Sequence, residues 1–110
     1  MDIRPATRED FLAFFKRNPP FSMRAIVAIK GDTAVGIGGY YLRDGLAVAF
    51  TDSTNAMTKR DIVKACAAFR KFISQLKMDI VAQCDPNTGD VLLRHFGFKQ
   101  FRGDIWMLVK

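Results

Sequence analysis

The stretch RDGLAVAFTDSTNAMTKRDIVKACAAFRKFISQLK, residues 43–77, decides the fold of this chain. After a turn it continues with an apolar run, Leu46–Thr51, which predicts a strand. A polar loop, Asp52–Met57, then leads into the longest periodic segment of the sequence, Thr58–Lys77. Many folds bind phosphate at such a strand–loop–helix junction, because the helix N-terminus offers unpaired N–H groups and the positive end of a dipole. The loop is therefore a candidate anion-binding site.

The segment Thr58–Lys77 has the periodicity of an amphipathic helix. Thr58, with Asp61 three residues later, predicts a capping box in which Asp stands where Glu is more usual. Apolar residues then recur at spacings of three and four, which places them on one helix face. This apolar stripe consists of Ile62, Ala65, Cys66, Phe69, Phe72, Ile73 and Leu76.

The opposite face of this helix is basic. Its central row, which we call the basic face, consists of Arg60, Lys64 and Lys71, and towards its edge lie Lys59, Arg70 and Lys77. Cations in the first turn oppose the helix dipole at a cost of about 0.3–1 kcal/mol each. Lys59 and Arg60 in that turn are explained if an anion binds nearby, although a solvated charged face is the commoner explanation.

The composition is that of a small globular protein. With 110 residues, 49% of them hydrophobic, the chain is expected to form one domain, residues 1–110, with its own core. No apolar run of membrane-spanning length and no signal-peptide pattern are present, so we expect a cytoplasmic protein without a membrane partner. Cys66 and Cys84 are expected to be buried, reduced thiols, and with one histidine they make no metal site. The net charge of +6 favours acidic partners without choosing among them.

The chain before this stretch predicts a strand, a helix and a hairpin. The strand is Ile3–Pro5, and a second capping-box pattern at Thr7 introduces a short helix, Arg8–Arg17, that stops before two prolines. The hairpin Arg24–Leu42 turns at a Gly-Asp pair. Its second arm contains three glycines, which indicate a bulge or a close approach by another backbone or a ligand: Gly36, Gly38 and Gly39.

The chain after it predicts a buried strand, Asp79–Cys84, and a short helix around Val91, Leu92 and Phe96 that Gly97 closes in the left-handed conformation. Two further strands follow, Phe98–Phe101 and Ile105–Val109. The order β-α-β-β-β-α-β-α-β-β predicts an α/β (α+β) fold. We expect a mixed, mostly antiparallel sheet of six to seven strands, with three helices packed on its two faces.

This order, with two sequence landmarks, resembles the GNAT (Gcn5-related N-acetyltransferase) superfamily over nearly the whole chain. The opening, Ile3–Phe11, is similar to the first strand and helix of the family. The segment DPNTGDVLLRHFGF, Asp85–Phe98, resembles the family's "N…A…LYEKLGF" ending. Between Arg17 and Arg24 the chain is shorter than is usual, so the second family helix is expected to be reduced or absent.

A nearer resemblance is to small GNAT-like proteins of tailed bacteriophages, including internal virion proteins. The matching features are the glycine-rich strand, the strand end Phe50-Thr51-Asp52 and the basic helix segment Lys59–Lys71. The resemblance implies a location in the host cytoplasm or the virion, and a virion or host protein as the partner.

The family's cofactor loop is altered in this sequence. GNAT enzymes hold the pyrophosphate of acetyl-CoA with the amides of a glycine-containing loop before the long helix. Here the corresponding loop, Ser53–Arg60, has no glycine, so its side chains are expected to obstruct a close backbone approach. If acetyl-CoA binds, the resemblance assigns it to Ser53, Thr54, Thr58, Lys59 and Arg60.

The family's acid is also altered. Many members protonate the departing thiolate with a tyrosine, and Leu93, which has no proton to donate, stands at that position. His95, two residues on, is expected to point away from the face of Leu93 as a surface or cap residue. Asp52, at the end of the central strand, is the candidate general base, although an aspartate there is more often a loop or cap residue.

Three functions follow as hypotheses. The altered loop and Leu93 favour a GNAT-fold protein without acetyl transfer, a phage-type structural or protein-binding component that needs no cofactor. The alternative is a small active N-acetyltransferase that moves an acetyl group from acetyl-CoA to an amine. The third is the binding of nucleic acid or another acidic partner through the basic face.

The first two hypotheses differ in one structural expectation. The resemblance implies that the strands Leu46–Thr51 and Asp79–Cys84 splay apart, and that active members place the pantetheine arm of the cofactor in the gap. A chain without a cofactor must fill the gap itself, and we expect the side chains of Met57, Asn55 and Leu93 to close it. Methionine suits this role because it is unbranched and flexible. An open channel would instead favour the acetyltransferase.

Overall fold

A seven-stranded sheet forms the centre of the computed structural model, which describes residues 1–19, 22–83, 94, 96–103 and 105–109. Its strands, within those residues, are β1 (Asp2–Pro5), β2 (Arg24–Lys30), β3 (Thr33–Arg43), β4 (Leu46–Ser53), β5 (Ile80–Gln83), β6 (Lys99–Arg102) and β7 (Ile105–Leu108). Their order across the sheet is β1-β2-β3-β4-β5-β7-β6. The predicted strands are therefore confirmed, with bounds that differ by one or two residues.

The directions of the strands follow from the connections between them. β1 to β4 pair antiparallel, as the predicted hairpin and meander require. β4 and β5 are parallel, because the long helix crosses over between them. β5, β7 and β6 are again antiparallel neighbours. The sheet is thus mixed and mostly antiparallel, as predicted.

Two helices, α1 (Arg8–Phe15) and α2 (Lys59–Ser74), occur in the part of the chain that the structure describes. Both begin with the predicted capping box, in which the Thr7 and Thr58 hydroxyls accept the N–H three residues ahead. Neither is long and apolar enough to cross a membrane.

Both helices end earlier than predicted. α1 ends at Phe15 and not at Arg17, because Lys16 adopts the left-handed conformation, with a φ of 58°. α2 ends at Ser74 and not at Lys77, because its last turn tightens and the N–H of Leu76 donates to the carbonyl of Ile73.

The predicted third helix falls largely outside the described residues. Of that segment the structure describes Arg94 and Phe96, and the N–H of Gly97 donates to the Arg94 carbonyl at 3.0 Å. Gly97 has a φ of 92°, in the left-handed region expected of a helix-closing glycine. The predictions for Cys84, Leu93 and His95 lie outside the described residues.

The two helices pack on opposite faces of the sheet. On the α1 face, Phe11 is fully buried beside Ala25 and Ile37. On the α2 face, Phe69 and Ile73 pack in a larger cluster that includes Ile80, Phe98 and Trp106. Because alternate residues of a strand point to opposite faces, β2, β3 and β4 contribute to both clusters, whereas β5 and β7 contribute to the larger one.

The glycines of β3 allow its neighbours to approach closely, as their density predicts. A Cβ atom on Gly38 would lie 2.8 Å from the Phe69 ring, so the ring packs directly on the strand backbone. A Cβ on Gly39 would lie 2.3 Å from the Arg24 carbonyl oxygen of β2. The predicted bulge is also present in this strand: Ala28 and Ile29 of β2 pair with Gly36 and Ala34, so Val35 of β3 is the extra residue.

Candidate functional site

The pairing between β4 and β5 ends in the middle of the sheet. They pair over three residue pairs, the last of which is Ala49 with Ala82. β4 then continues to Ser53, and among the described residues its partner over this second half is β3 alone. The free edge of β4 from Phe50 to Ser53 therefore presents backbone N–H and C=O groups to the gap. In the described residues, the β4–β5 ladder thus ends where the GNAT resemblance implies that the two strands splay apart.

A cavity of about 600 Å³ lies at this gap and is lined from both faces of the sheet. The register pairs Thr51 and Ser53 with Gly38 and Gly36, which contact side chains of the α2 side, so these two residues point to the α2 face. By the same alternation, Asp52 points to the α1 face. Because residues of both orientations line the cavity, it reaches from one face to the other around the edge of β4.

The first half of α2 forms the wall on the α2 face. Ile62, Ala65 and Cys66 line the cavity, and the Phe69 ring closes its inner end. The residues are apolar, and the two glycines of β3 opposite them contribute no side-chain volume. Burial raises the pKa of the Cys66 thiol, so the neutral form is favoured. This wall suits an apolar chain more than a charged one.

Of the two described residues that are expected to close the gap, one lies at it and the other does not. Met57 lies against Gly36, where a Cβ would meet its sulfur at 3.2 Å, and it lines the cavity. Asn55 is exposed and does not belong to the described lining. A short β-turn-like loop after β4 carries Asn55 outward, which the sequence pattern alone did not indicate. The third residue, Leu93, lies outside the described residues.

The N-terminus of α2 uses part of its own anion-binding capacity. The Thr58 hydroxyl accepts the Asp61 N–H at 3.1 Å, and the Asp61 carboxylate accepts the Thr58 N–H at 3.0 Å. Lys30 of β2 donates to the same carboxylate at 2.9 Å. The Thr58 N–H, together with Lys30, lowers the pKa of Asp61 to about 2, so the carboxylate is charged at neutral pH.

An incoming phosphate would therefore find one negative charge already at this helix end. The N–H groups of the first two helical residues, Lys59 and Arg60, have no partner within the helix and point out of its end. Both side chains are exposed. Neither residue belongs to the described lining of the cavity, which comes nearest to them at Met57 and Ile62.

The structure separates the predicted cofactor residues into two groups. Ser53, like the candidate base Asp52, lines the cavity. Thr54 instead holds the loop, because its N–H donates to the Val35 carbonyl at 2.9 Å and its hydroxyl accepts the Ala56 N–H at 3.3 Å. Thr58 is the N-cap of α2. Of the predicted cofactor residues, Thr54 and Thr58 thus stabilise the loop and the helix start, and Ser53 lines the cavity.

Asp52 is an exposed carboxylate at the mouth of the cavity. Its Oδ1 atom accepts the N–H of Ser53 at 2.8 Å, and its other oxygen has no hydrogen-bond partner in the described part of the chain. The predicted basic face, Arg60, Lys64 and Lys71, is exposed along α2. Lys64 donates to the Met1 carbonyl at 2.7 Å, which ties the helix to the start of β1.

Two lining residues escaped the sequence analysis. Arg17 follows α1 and Tyr41 lies in β3, and both line the cavity on the α1 face. The alternation of β3 and β4 shows that Tyr41 shares a face with Phe50, but no sequence signal brings Arg17 to these strands. Its position depends on how α1 packs on the sheet.

Comparison with known proteins gives matches of structure. No protein-family model and no curated protein sequence match the chain. An acetyltransferase of the GNAT family from Bacillus anthracis matches with a TM-score of 0.58 and 11% identity, over 80% of this chain and 66% of that chain. A GNAT-family structure from Bacteroides thetaiotaomicron matches with a TM-score of 0.48 and 11% identity, over 97% of this chain and 85% of the other. At 11% identity the first match concerns the fold, and this chain therefore has a GNAT-like α+β fold.

Proposed function

We propose that this chain binds acetyl-CoA in the cavity at the β4–β5 gap and transfers the acetyl group to a primary amine. The observation that supports the proposal is the cavity of about 600 Å³, which is lined from both faces of the sheet. A donor that enters from the α2 face and an amine that enters from the α1 face would meet at the same gap. A gap closed by the chain's own side chains would provide no such meeting point.

The α2 side of the cavity has the properties that the donor requires. Its apolar wall, formed by Ile62, Ala65 and Phe69, fits the hydrocarbon parts of a pantetheine arm. The free edge of β4 offers alternating N–H and C=O groups to the amides of that arm, as a sheet edge does to an added strand. Lys59 and Arg60, with their unpaired N–H groups, are the candidates to hold the pyrophosphate.

The chemistry requires few groups of the protein. The amine nitrogen attacks the thioester carbonyl carbon, so that a C–N bond forms and the C–S bond breaks. Of the two protons that the ammonium loses, one ends on the departing thiol through water at the open mouth, and the other passes to solvent through Asp52. Asp52 is suited to this role because it faces the amine side and has one carboxylate oxygen without a partner in the described part.

Calorimetric titration with acetyl-CoA tests the proposal. We expect saturable binding that weakens roughly five- to thirty-fold in the Lys59→Ala/Arg60→Ala variant, at about 0.5–1 kcal/mol for each exposed phosphate contact. The matched control is Lys71→Ala/Lys77→Ala, which removes one cation from the last turn of α2 and one just beyond its end, and which should bind as the wild type does. Absence of saturable binding at millimolar acetyl-CoA would overturn the proposal.

A second candidate is a non-catalytic, phage-type structural or protein-binding component, and the start of α2 favours it. The capping box occupies two donors there, and the Asp61 carboxylate opposes a phosphate. In this case the basic face, Arg60, Lys64 and Lys71, is the candidate surface for an acidic protein or nucleic acid. Its signature would be no acetyl-CoA binding. Nucleic acid as the partner would give retention of DNA at low salt, with an affinity that falls by about one log unit per log salt for each phosphate contacted.

A further inference from the structure

The α1 side of the cavity carries the only two charged side chains of its described lining, and they have opposite signs. They are Arg17, just after α1, and Asp52, near the end of β4. Every other described lining residue is apolar, glycine or uncharged polar. A cavity with one cation and one anion on the same side is a specific chemical feature, because it can bind both ends of a zwitterion.

The two charged residues border the same cluster of aromatic rings on the α1 face. The guanidinium carbon of Arg17 lies 5.4 Å from the centroid of the Phe11 ring. The Phe11 ring in turn meets the Phe50 ring edge-on, with centroids 5.2 Å apart. Phe50 and Asp52 are two residues apart on β4 and therefore point to the same face. Tyr41 stacks on Phe50 at 6.3 Å, and these two rings, which both line the cavity, form its aromatic floor on the α1 face.

The two charges do not neutralise each other. Within the described residues, no ion pair joins Arg17 to Asp52 or to another carboxylate. The ring of Phe11 supports the guanidinium from one side and leaves its N–H donors available. Asp52 uses one oxygen for the Ser53 N–H and keeps the other. Both groups are therefore available to a ligand that lies along the aromatic floor.

We propose that the amine acceptor is a short peptide with a free C-terminal carboxylate and an apolar side chain. This inference rests on the acetyl transfer proposed above. The peptide's N-terminal ammonium lies at Asp52, its carboxylate accepts a two-pronged hydrogen bond from Arg17, and its apolar side chain packs on Phe50 and Tyr41. Arg17 connects to Phe50 through two ring contacts of 5.4 and 5.2 Å, and Asp52 follows Phe50 on the same face of β4, so the two ends of a peptide of three or four extended residues, at about 3.3–3.6 Å each, can contact both charges.

Acetyl transfer to two matched peptides tests the inference. One is a tetrapeptide with a phenylalanine at its second position and a free carboxylate, and the other is the same peptide as its C-terminal amide. We expect kcat/KM to favour the free carboxylate by roughly fivefold or more, with the difference in KM, because the Arg17 contact is made equally in the ground and transition states. Equal values for the two peptides would overturn the inference.

Variants at position 17 separate this contact from a structural effect. Arg17→Gln should bring the two peptides to within about twofold of each other, and Arg17→Lys should retain part of the preference because it keeps the charge. Arg43→Gln, which removes an exposed arginine at the β3–β4 turn, is the control and should leave the preference unchanged. A preference that survives in Arg17→Gln would contradict the assignment.

Peptide binding without acetyl-CoA distinguishes this inference from the proposed function. In one outcome acetyl-CoA does not bind, but the free-carboxylate peptide still binds more tightly than its amide, and only when Arg17 is present. This result would support the peptide site and contradict acetyl transfer. If acetyl-CoA binds and a simple alkylamine is acetylated, while both peptides behave alike, then acetyl transfer stands and the peptide assignment fails.

Discussion

The two halves of α2 carry the same apolar stripe and meet very different surroundings. In the second half, Phe69 and Ile73 are buried, with exposed fractions of 5% and 1%. In the first half, Ile62 is 43% exposed and borders the cavity together with Ala65 and Cys66. The helix is continuous over both halves, so its own periodicity does not produce the difference.

The difference in burial between the two halves of α2 comes from the sheet on which they pack. Under the second half the sheet is continuous, and the Phe69 ring packs on Gly38 and against Phe96, with ring centroids 5.1 Å apart. Under the first half β4 has separated from β5, and Gly36 offers no side chain to fill the space. The periodicity of apolar residues thus shows which face of a helix is apolar. The part of the sheet that packs against this face decides whether it belongs to the core or lines a cavity.

Alanine substitutions in the apolar stripe should show the largest difference in stability between the two halves of α2. Phe69→Ala removes a buried ring and should lower the free energy of unfolding by about 3–5 kcal/mol. Ile62→Ala removes a half-exposed side chain beside an existing cavity and should cost about 1 kcal/mol or less. Urea denaturation followed by circular dichroism measures both. Similar losses in the two variants would mean that the first half is packed as tightly as the second.

Methyl groups added to β3 test the same difference from the sheet side. A Cβ on Gly38 would meet the packed Phe69 ring at 2.8 Å, and Gly38→Ala should therefore destabilise the protein by about 1–3 kcal/mol. A Cβ on Gly36 would make its tightest contact, 3.2 Å, with the sulfur of the flexible Met57 side chain, and Gly36→Ala should stay within about 0.5 kcal/mol of the wild type. The comparison fails if thermal denaturation shows that Gly36→Ala is the worse of the two.

The alkylation rate of the Cys66 thiol tests how accessible the cavity wall is, and it is expected to show the smallest of these effects. Because burial raises its pKa, the thiolate forms at higher pH than in a small thiol, and alkylation by iodoacetamide should be several-fold slower at pH 8. The rate should rise with a midpoint above about 8.5, the ordinary thiol value. Acetyl-CoA in the cavity should slow it further.

A Cys84→Ser background confines the reaction to Cys66, and mass spectrometry follows it. Alkylation of Cys66 at the rate and midpoint of a free thiol would show that the first half of α2 is more open than the cavity wall requires. An unchanged rate in saturating acetyl-CoA would place the ligand elsewhere.

The starts of the helices could be predicted because they depend on hydrogen bonds between residues close together in the sequence. The Thr58–Asp61 box forms as expected, because its two hydrogen bonds join residues three apart and need no distant partner. Asp61 nevertheless also accepts a bond from Lys30, thirty-one residues away, and no local pattern indicates that contact. The sequence does not indicate the early end of α1 either. Lys16 caps the helix in the left-handed conformation, in which lysine is seldom found.

The sequence by itself determined the elements of this protein, its mostly antiparallel sheet and the apolar face of α2, since these depend on spacings of two to four residues. Only the tertiary structure decided that the described residues leave a cavity at the β4–β5 gap, and that Met57 lines it against Gly36. It also decided that Arg17 and Asp52, thirty-five positions apart, line the same cavity. The physical reason is that a cavity is the volume left between elements after they pack, and packing joins residues that no local period connects.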